Sequence, residues 1–214
     1  MIKAIYFDCD GTILNTLEDI HEALNKTLKH VQRPMVTLEQ TKTYVGNGLK
    51  NLMKNALGKE EVDEELALFH HYYSQDLMVF SHPYEGIVAF LKELKSSGFK
   101  LGMISNKTDE YIQRIAQHYF TDLFDVVVGE RDDLQRKPHH DMLDYACEHT
   151  GVVREEVIFI GDSVVDAQFI INHQLQGGVM LYGFEDRNAL LHTGLACFED
   201  VSELRRWILS KTTV

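Results

Sequence analysis

The stretch Ile2-Lys3-Ala4-Ile5-Tyr6-Phe7-Asp8-Cys9-Asp10-Gly11-Thr12 decides how the rest of the chain is read. An apolar run, Ile2 to Phe7, stops abruptly at two carboxylates, a glycine and a hydroxyl. Such a run suits a strand buried on both faces. Carboxylates at i and i+2 of extended chain point the same way and repel. The arrangement becomes reasonable if a cation sits there, or if one acid is used protonated.

Outward from that stretch, the chain of 214 residues has room for one large domain, or for a main domain with a smaller insert. Its hydrophobic fraction of 44% and charged fraction of 25% are ordinary for a soluble globular protein. No apolar run approaches the roughly 18 residues that span a bilayer. No basic and apolar targeting segment precedes the acids, so a cytoplasmic protein is expected. The three cysteines, Cys9, Cys147 and Cys197, show no C-x-x-C pair, which argues against a disulfide framework or a zinc knuckle. Cys9 reads as a small core residue turned away from its flanking acids. A net charge of −12 argues against a nucleic-acid surface. The histidine pairs 70/71 and 139/140 lack the i, i+4 spacing of a helical metal site.

Helical periodicity follows the opening strand. Leu17 to Val31 repeats apolar residues every three or four positions, and Pro34 ends it. Thr37 is placed to cap a second helix. Val45-Gly46-Asn47-Gly48 reads as a turn, Leu49 to Leu57 resumes the helical spacing with Gly58 as its stop, and Glu60 to Phe80 reads as one long helix. From Pro83 onward, strands alternate with helices. The strands fall at 99–104, 126–128, 157–160, 178–182 and 195–198. The helices fall at 84–97, 108–118 with Thr108 as cap, 139–150, 163–175 and 201–209. That alternation predicts right-handed crossovers and a parallel sheet. The fold class is therefore α/β, a doubly wound parallel sheet with an inserted helical domain. Residues 1–14 and 83–214 form the core and 15–82 the insert.

Polar residues collect where predicted strands end: Asp8, Asp10 and Thr12; Ser105 and Asn106; Lys137; and Asp162, Ser163 and Asp166. In an open parallel sheet those ends share one edge, where ligands bind. Taken singly, Thr12, Ser105 and Ser163 fit a cap or a turn as readily as a ligand. Together, carboxylates without matching His or Cys favour a hard cation such as Mg²⁺. The lysine, the hydroxyls and the turn amides near Gly11 and Asn106 suit phosphate oxygens. The set describes a phosphoryl-transfer site.

Asp8-Cys9-Asp10-Gly11-Thr12, Ser105-Asn106-Lys107, Lys137-Pro138 and Gly161-Asp162-Ser163-x-x-Asp166 resemble the four ordered motifs of the haloacid dehalogenase-like hydrolase superfamily. The helical insert resembles that superfamily's α-helical cap. Val45-Gly46-Asn47-Gly48 and His82-Pro83-Tyr84-Glu85-Gly86 resemble its phosphoglycolate phosphatase branch. The resemblance implies that Asp8 is the nucleophile, forming an aspartyl-phosphate, and that Asp10 is general acid and then base. It implies that Asp8, the Asp10 carbonyl and Asp162 hold Mg²⁺, with Asp166 supporting them. It gives Thr12, Ser105 and Asn106 to the phosphate, and has Lys137 neutralise developing charge and orient Asp8. Acid at position 10 favours a phosphatase over a carbon–halogen hydrolase. Two departures stand out: His140 replaces a common proline, and 169–176 is bulkier than the helix the family usually has there.

These readings predict a Mg²⁺-dependent phosphatase of a small metabolite such as 2-phosphoglycolate. Pyrophosphate, sugar phosphates and nucleoside monophosphates are the other substrates. Gly46, Asn47 and Gly48 are the expected cap contribution to specificity. Phosphonate cleavage would need a cap lysine, and none of Lys26, Lys29, Lys42, Lys50, Lys54 and Lys59 is singled out by its context. A reading from another class is a phosphoryl-accepting receiver-like domain, against which the insert and Asp10 both argue; a binding protein with lost activity fits the intact motifs poorly. No nucleic-acid or membrane partner is expected, and the chain would act as a monomer or homodimer.

Overall fold

The computed structural model describes residues 1–46 and 48–212. Strand β1 (Ala4–Phe7) is wholly buried and leads to β2 (Leu14–Asn15). Helices α1 (Leu17–His30), α2 (Leu38–Tyr44), α3 (Gly48–Leu57) and α4 (Asp63–Gln75) follow. The chain returns through β3 (His82–Pro83) to α5 (Ile87–Ser96), β4 (Lys100–Thr108), α6 (Asp109–Tyr119) and β5 (Val126–Glu130). It continues with α7 (Asp141–Thr150), β6 (Val157–Gly161), α8 (Val164–Asn172), β7 (Gln176–Met180), α9 (Arg187–Leu191), β8 (Ala196–Phe198) and α10 (Val201–Thr212).

Six strands form a parallel sheet in the order β5-β4-β1-β6-β7-β8. Alternation along β1 sends Ile5 and Phe7 to one face and Ala4 and Tyr6 to the other. The first face packs on apolar residues of α5, α6 and α10, among them Leu91, Ile112 and Ile208. The second packs on α7 and α8 through Met142, Leu143, Phe169 and Ile170. The chain therefore leaves β1 and β6, which are neighbours, toward opposite faces. That reversal opens a crevice at their carboxyl ends, where such sheets bind ligands.

The doubly wound parallel sheet is as the sequence predicts, but several local readings change. The segment 15–82 touches strand at both ends: Leu14 pairs with Pro83 and Asn15 with His82, antiparallel. The predicted helix over 60–80 is shorter, Asp63–Gln75. Beyond it Met78 adopts φ +73°, and the Phe80 and Ser81 N–H groups donate to the Asp19 carboxylate instead of to a helical carbonyl. Thr108 precedes α6 without a capping hydrogen bond, because β4 runs on through it. Thr37 does cap α2, exchanging bonds with Gln40. Helix α9 was not predicted; its five residues are too few to show a period.

Candidate active site

Every motif acid stands at the carboxyl edge of β1 or β6. The turn after β1 is built on one carbonyl. Cys9 O accepts from the N–H groups of Thr12, Ile13 and Leu14, while Gly11 takes φ +79°. A Cβ on Gly11 would lie 2.1 Å from an Asp162 oxygen, so the glycine is needed both for its backbone and for the closeness of β6. Cys9 itself is a buried core thiol, and burial, ahead of repulsion from Asp10, raises it well above the ordinary range.

Asp8, Asp162 and Asp166 are all buried, and each offers an oxygen within 4.8 Å of the others. Lys137 Nζ lies 3.0 Å from Asp8 Oδ1 and 2.7 Å from Asp166 Oδ1. Asp8 Oδ1 is buried and receives the charge of Lys137 without a well-directed hydrogen bond. Burial pushes the Asp8 carboxyl up to about 6; Lys137 pulls the other way, and Asp166 and Asp10 add repulsion. Burial likewise raises Asp162, with Asp166 and Asp8 reinforcing it. Crowded acids, a buried oxygen that takes no well-directed hydrogen bond and an all-oxygen donor set fit a hard divalent cation such as Mg²⁺.

The remaining bonds fix these acids. Asp166 Oδ2 accepts from the N–H groups of Asp162 and Ser163 and from the Ser163 hydroxyl, and Ser163 in turn caps α8. Asp162 accepts from Phe184 N and from the Thr12 hydroxyl, 2.9 Å away. Asp10 faces another group altogether. Thr16 Oγ1 donates to its Oδ1 at 2.7 Å, and Lys107 Nζ sits 3.1 Å from both its oxygens.

The acids, Ser105, Asn106, Lys107 and Lys137 share a cavity of about 220 Å³. Its opposite wall comes from the helical insert: Ile20, Lys42, Thr43, Val45, Gly46, Gly48, Leu49 and Leu52. Gly46 and Gly48 line the cavity; Asn47 lies outside the described residues. The three phosphate candidates differ in their surroundings. Thr12 is 1% exposed and stands behind Asp162, outside the cavity wall, with its hydroxyl already donated. The Asn106 side-chain amide donates to Lys137 O, bracing the lysine loop, which leaves the expected turn amide free of that bond. Ser105 remains at the wall, 2% exposed.

Sequence reasoning gave no role to Lys107 or Lys42. In the sequence Lys107 stands out only as part of a motif, and its ion pair with Asp10 depends on how β4 lies beside β1. Among the cap lysines, Lys26, Lys50, Lys54 and Lys59 form surface ion pairs, whereas Lys42 faces the cavity. His139, His140 and Asp141 form a second cluster with metal-ligand geometry, at the start of α7 and away from the cavity wall.

Residues 5–174 match the family model described as haloacid dehalogenase-like hydrolase. A phosphoglycolate phosphatase of Thiobacillus denitrificans is 32% identical over 176 residues, 78% of either chain. One of Colwellia psychrerythraea is 31% identical over 214 residues, 94% of this chain and 95% of that protein. Among solved structures, a predicted phosphoglycolate phosphatase from Haemophilus somnus superposes with a TM-score of 0.88 at 27% identity, covering 97% of this chain and 98% of that one.

Proposed function

The chain belongs to the haloacid dehalogenase-like hydrolase family, and from that premise we propose that it is a Mg²⁺-dependent phosphatase of a small phosphorylated metabolite, 2-phosphoglycolate being the first candidate. The observation that carries the reading is Asp8. It is a buried carboxylate with one oxygen unclaimed by any hydrogen bond, beside Lys137 and facing the cavity.

Asp8, Asp162 and the main-chain carbonyl of Asp10 would hold Mg²⁺, with Asp166 fixing the surrounding groups. When bound, the ion supplies positive charge that screens a phosphate dianion from the attacking carboxylate. Lys137 supplies more, since Asp166 and Asp8 hold it charged against the pull of burial. In the first half of the reaction, an Asp8 oxygen bonds to phosphorus and the leaving oxygen departs with the bonding pair, taking a proton from Asp10. In the second, water bonds to phosphorus, the bond to Asp8 breaks and returns its electron pair to that carboxylate, and Asp10 takes the proton.

We read residues 15–82 as a cap that closes the site from above, excluding water and reading the leaving group. At about 220 Å³ the cavity is smaller than the roughly 300–1,000 Å³ that houses a drug-sized ligand, which favours a short metabolite. The cap wall is apolar except near Lys42 and Thr43, and an ammonium there suits a leaving group carrying a carboxylate. A cytoplasmic setting belongs to the same reading; the three cysteines are free thiols, as reducing compartments keep them.

The test is turnover of a panel comprising 2-phosphoglycolate, pyrophosphate, sugar phosphates, nucleoside monophosphates and p-nitrophenyl phosphate, each with and without Mg²⁺ and compared as kcat/KM. Sustained release of phosphate, abolished in Asp8→Asn with unchanged circular dichroism, is the expected result. A single stable equivalent of phosphorylated protein, or near-normal hydrolysis by Asp8→Asn, would overturn the reading.

A further inference from the structure

Lys107 is only 4% exposed, yet it carries a charge that the two-step chemistry does not use. Its ammonium is held from two directions. From the core come both oxygens of Asp10, at 3.1 Å each. From the helical insert comes Tyr73 of α4, whose hydroxyl accepts at 2.7 Å and whose ring centroid lies 4.8 Å from Nζ. Tyr73 is fully buried and firmly set. It stacks on Phe69 at 5.3 Å and meets Tyr111 of α6 edge-on at 5.2 Å. One lysine thus joins the two parts of the molecule at the carboxylate assigned to proton transfer.

The donor count shows what this does to Asp10. A carboxylate has about four lone-pair sites. Lys107 engages both oxygens and Thr16 engages Oδ1 again, so three bonds are donated to Asp10 from fixed side chains. Every one treats it as an acceptor. An acceptor pinned in place, with about one site left toward the cavity, is what removing a proton from water requires.

We propose that Lys107, seated by the cap residue Tyr73, is a positioning residue that presents Asp10 as the proton acceptor for hydrolysis of the aspartyl-phosphate. The inference rests on the proposed two-step reading and assigns the pair to its second step: water's oxygen bonds to phosphorus, the phosphorus–oxygen bond to Asp8 breaks with its pair returning to Asp8, and the proton goes to Asp10. Because Tyr73 rides on α4, Asp10 is fully aligned only while the insert lies against the core. Water is then activated after the site has closed.

The experiment uses the full chain with Mg²⁺ and p-nitrophenyl phosphate, whose good leaving group makes little demand on an acid in the first step. Tyr73→Phe keeps the ring and removes only the hydroxyl. It should lower kcat about 10-fold, part of the roughly 10²-fold or more that acid–base catalysis supplies. KM should fall in proportion, so that kcat/KM stays within about twofold of wild type, since slowing only the second step leaves the first untouched. A burst of p-nitrophenol approaching one equivalent should appear, with phosphorylated protein trapped by rapid quenching. Lys107→Met should show the same pattern more strongly, and Lys107→Arg should recover part of the loss. A drop in kcat/KM equal to that in kcat, with no burst, would make the pair merely structural and overturn the proposal, as would an unchanged Tyr73→Phe. If Lys107→Met fails to fold, Tyr73→Phe decides alone. Asp10→Asn separates the premise from the inference. If it too traps no phosphorylated protein, the two-step reading fails; if it traps it and Tyr73→Phe does not, only the role of the pair fails.

Discussion

Thr12 belongs to Asp162 more than to any substrate. Its hydroxyl proton is spent on an acid that the cavity needs in one position. Thr12→Val keeps the shape and removes that bond. It should weaken Mg²⁺ activation about 10- to 100-fold, the usual cost of losing a residue that orients a metal ligand. The KM for substrate at saturating Mg²⁺ should move little; titration of activity against Mg²⁺ checks this. The sequence places Thr12 in the right motif but cannot say which way its hydroxyl turns, because Asp162 is 150 residues away. Asp8, Lys137 and Asp166 were easier to foresee. Strand ends and charge alone predict that they meet, and they stand within 3.0 Å of one another's charge partners. Lys107 was hidden for the same reason as Thr12: Tyr73, its partner, sits in the other part of the molecule.

At the scale of elements, α1 and the segment after α4 are tied by one buried carboxylate. Asp19, 3% exposed, accepts from Phe80 N and Ser81 N at 2.9 Å each and also from the Ser81 hydroxyl. Tyr119 OH then donates to Ser81 O at 2.6 Å, securing the same segment to α6. Asp19→Ala would orphan the buried Ser81 N–H and free that of the half-exposed Phe80, and should cost about 1–3 kcal/mol of stability, measured by urea unfolding. The sequence shows Asp19 only as an acid in the first turn of a helix, and the periodicity after residue 75 still looks helical although its amides are committed elsewhere. Periodicity reports burial, not hydrogen-bond partners, which is also why the two-residue strands β2 and β3 escaped it. Helix α2 sets Lys42 at the cavity wall. Lys42→Met should raise the KM for 2-phosphoglycolate about 10-fold or more, as loss of a charge-assisted contact does, and leave that for p-nitrophenyl phosphate nearly unchanged. Steady-state kinetics on both substrates decides it.

The whole molecule carries the cost of its acids. Burial pushes the Asp8 carboxyl from its ordinary 3.8 up to about 6 in the folded protein, against the pull of Lys137. Between those values the folded chain holds a proton that the unfolded chain has released. This group therefore opposes folding above pH 6, and the opposition disappears as pH falls toward 3.8. Without metal, Asp8→Asn should be more stable than wild type at pH 7.5, by something on the order of 2–3 kcal/mol, and the gap should narrow below pH 6 and close only as pH nears 4. Mg²⁺ should stabilise wild type at pH 7.5 and do far less for the variant; thermal melts across pH with and without Mg²⁺ test both statements. No helix among the described residues is long and apolar enough to cross a membrane. The small ladder of Leu14 with Pro83 and Asn15 with His82 reaches further than its size suggests. Residues paired across antiparallel strands stand only about 5 Å apart. To the sheet, the stretch between them is therefore a loop whose two ends already touch, and doubling such a loop costs only about 0.6 kcal/mol. The stretch between those strands can therefore change length at little entropic cost to β1, provided it keeps Thr16 and Tyr73, the residues through which it reaches Asp10 and the Lys107 beside it.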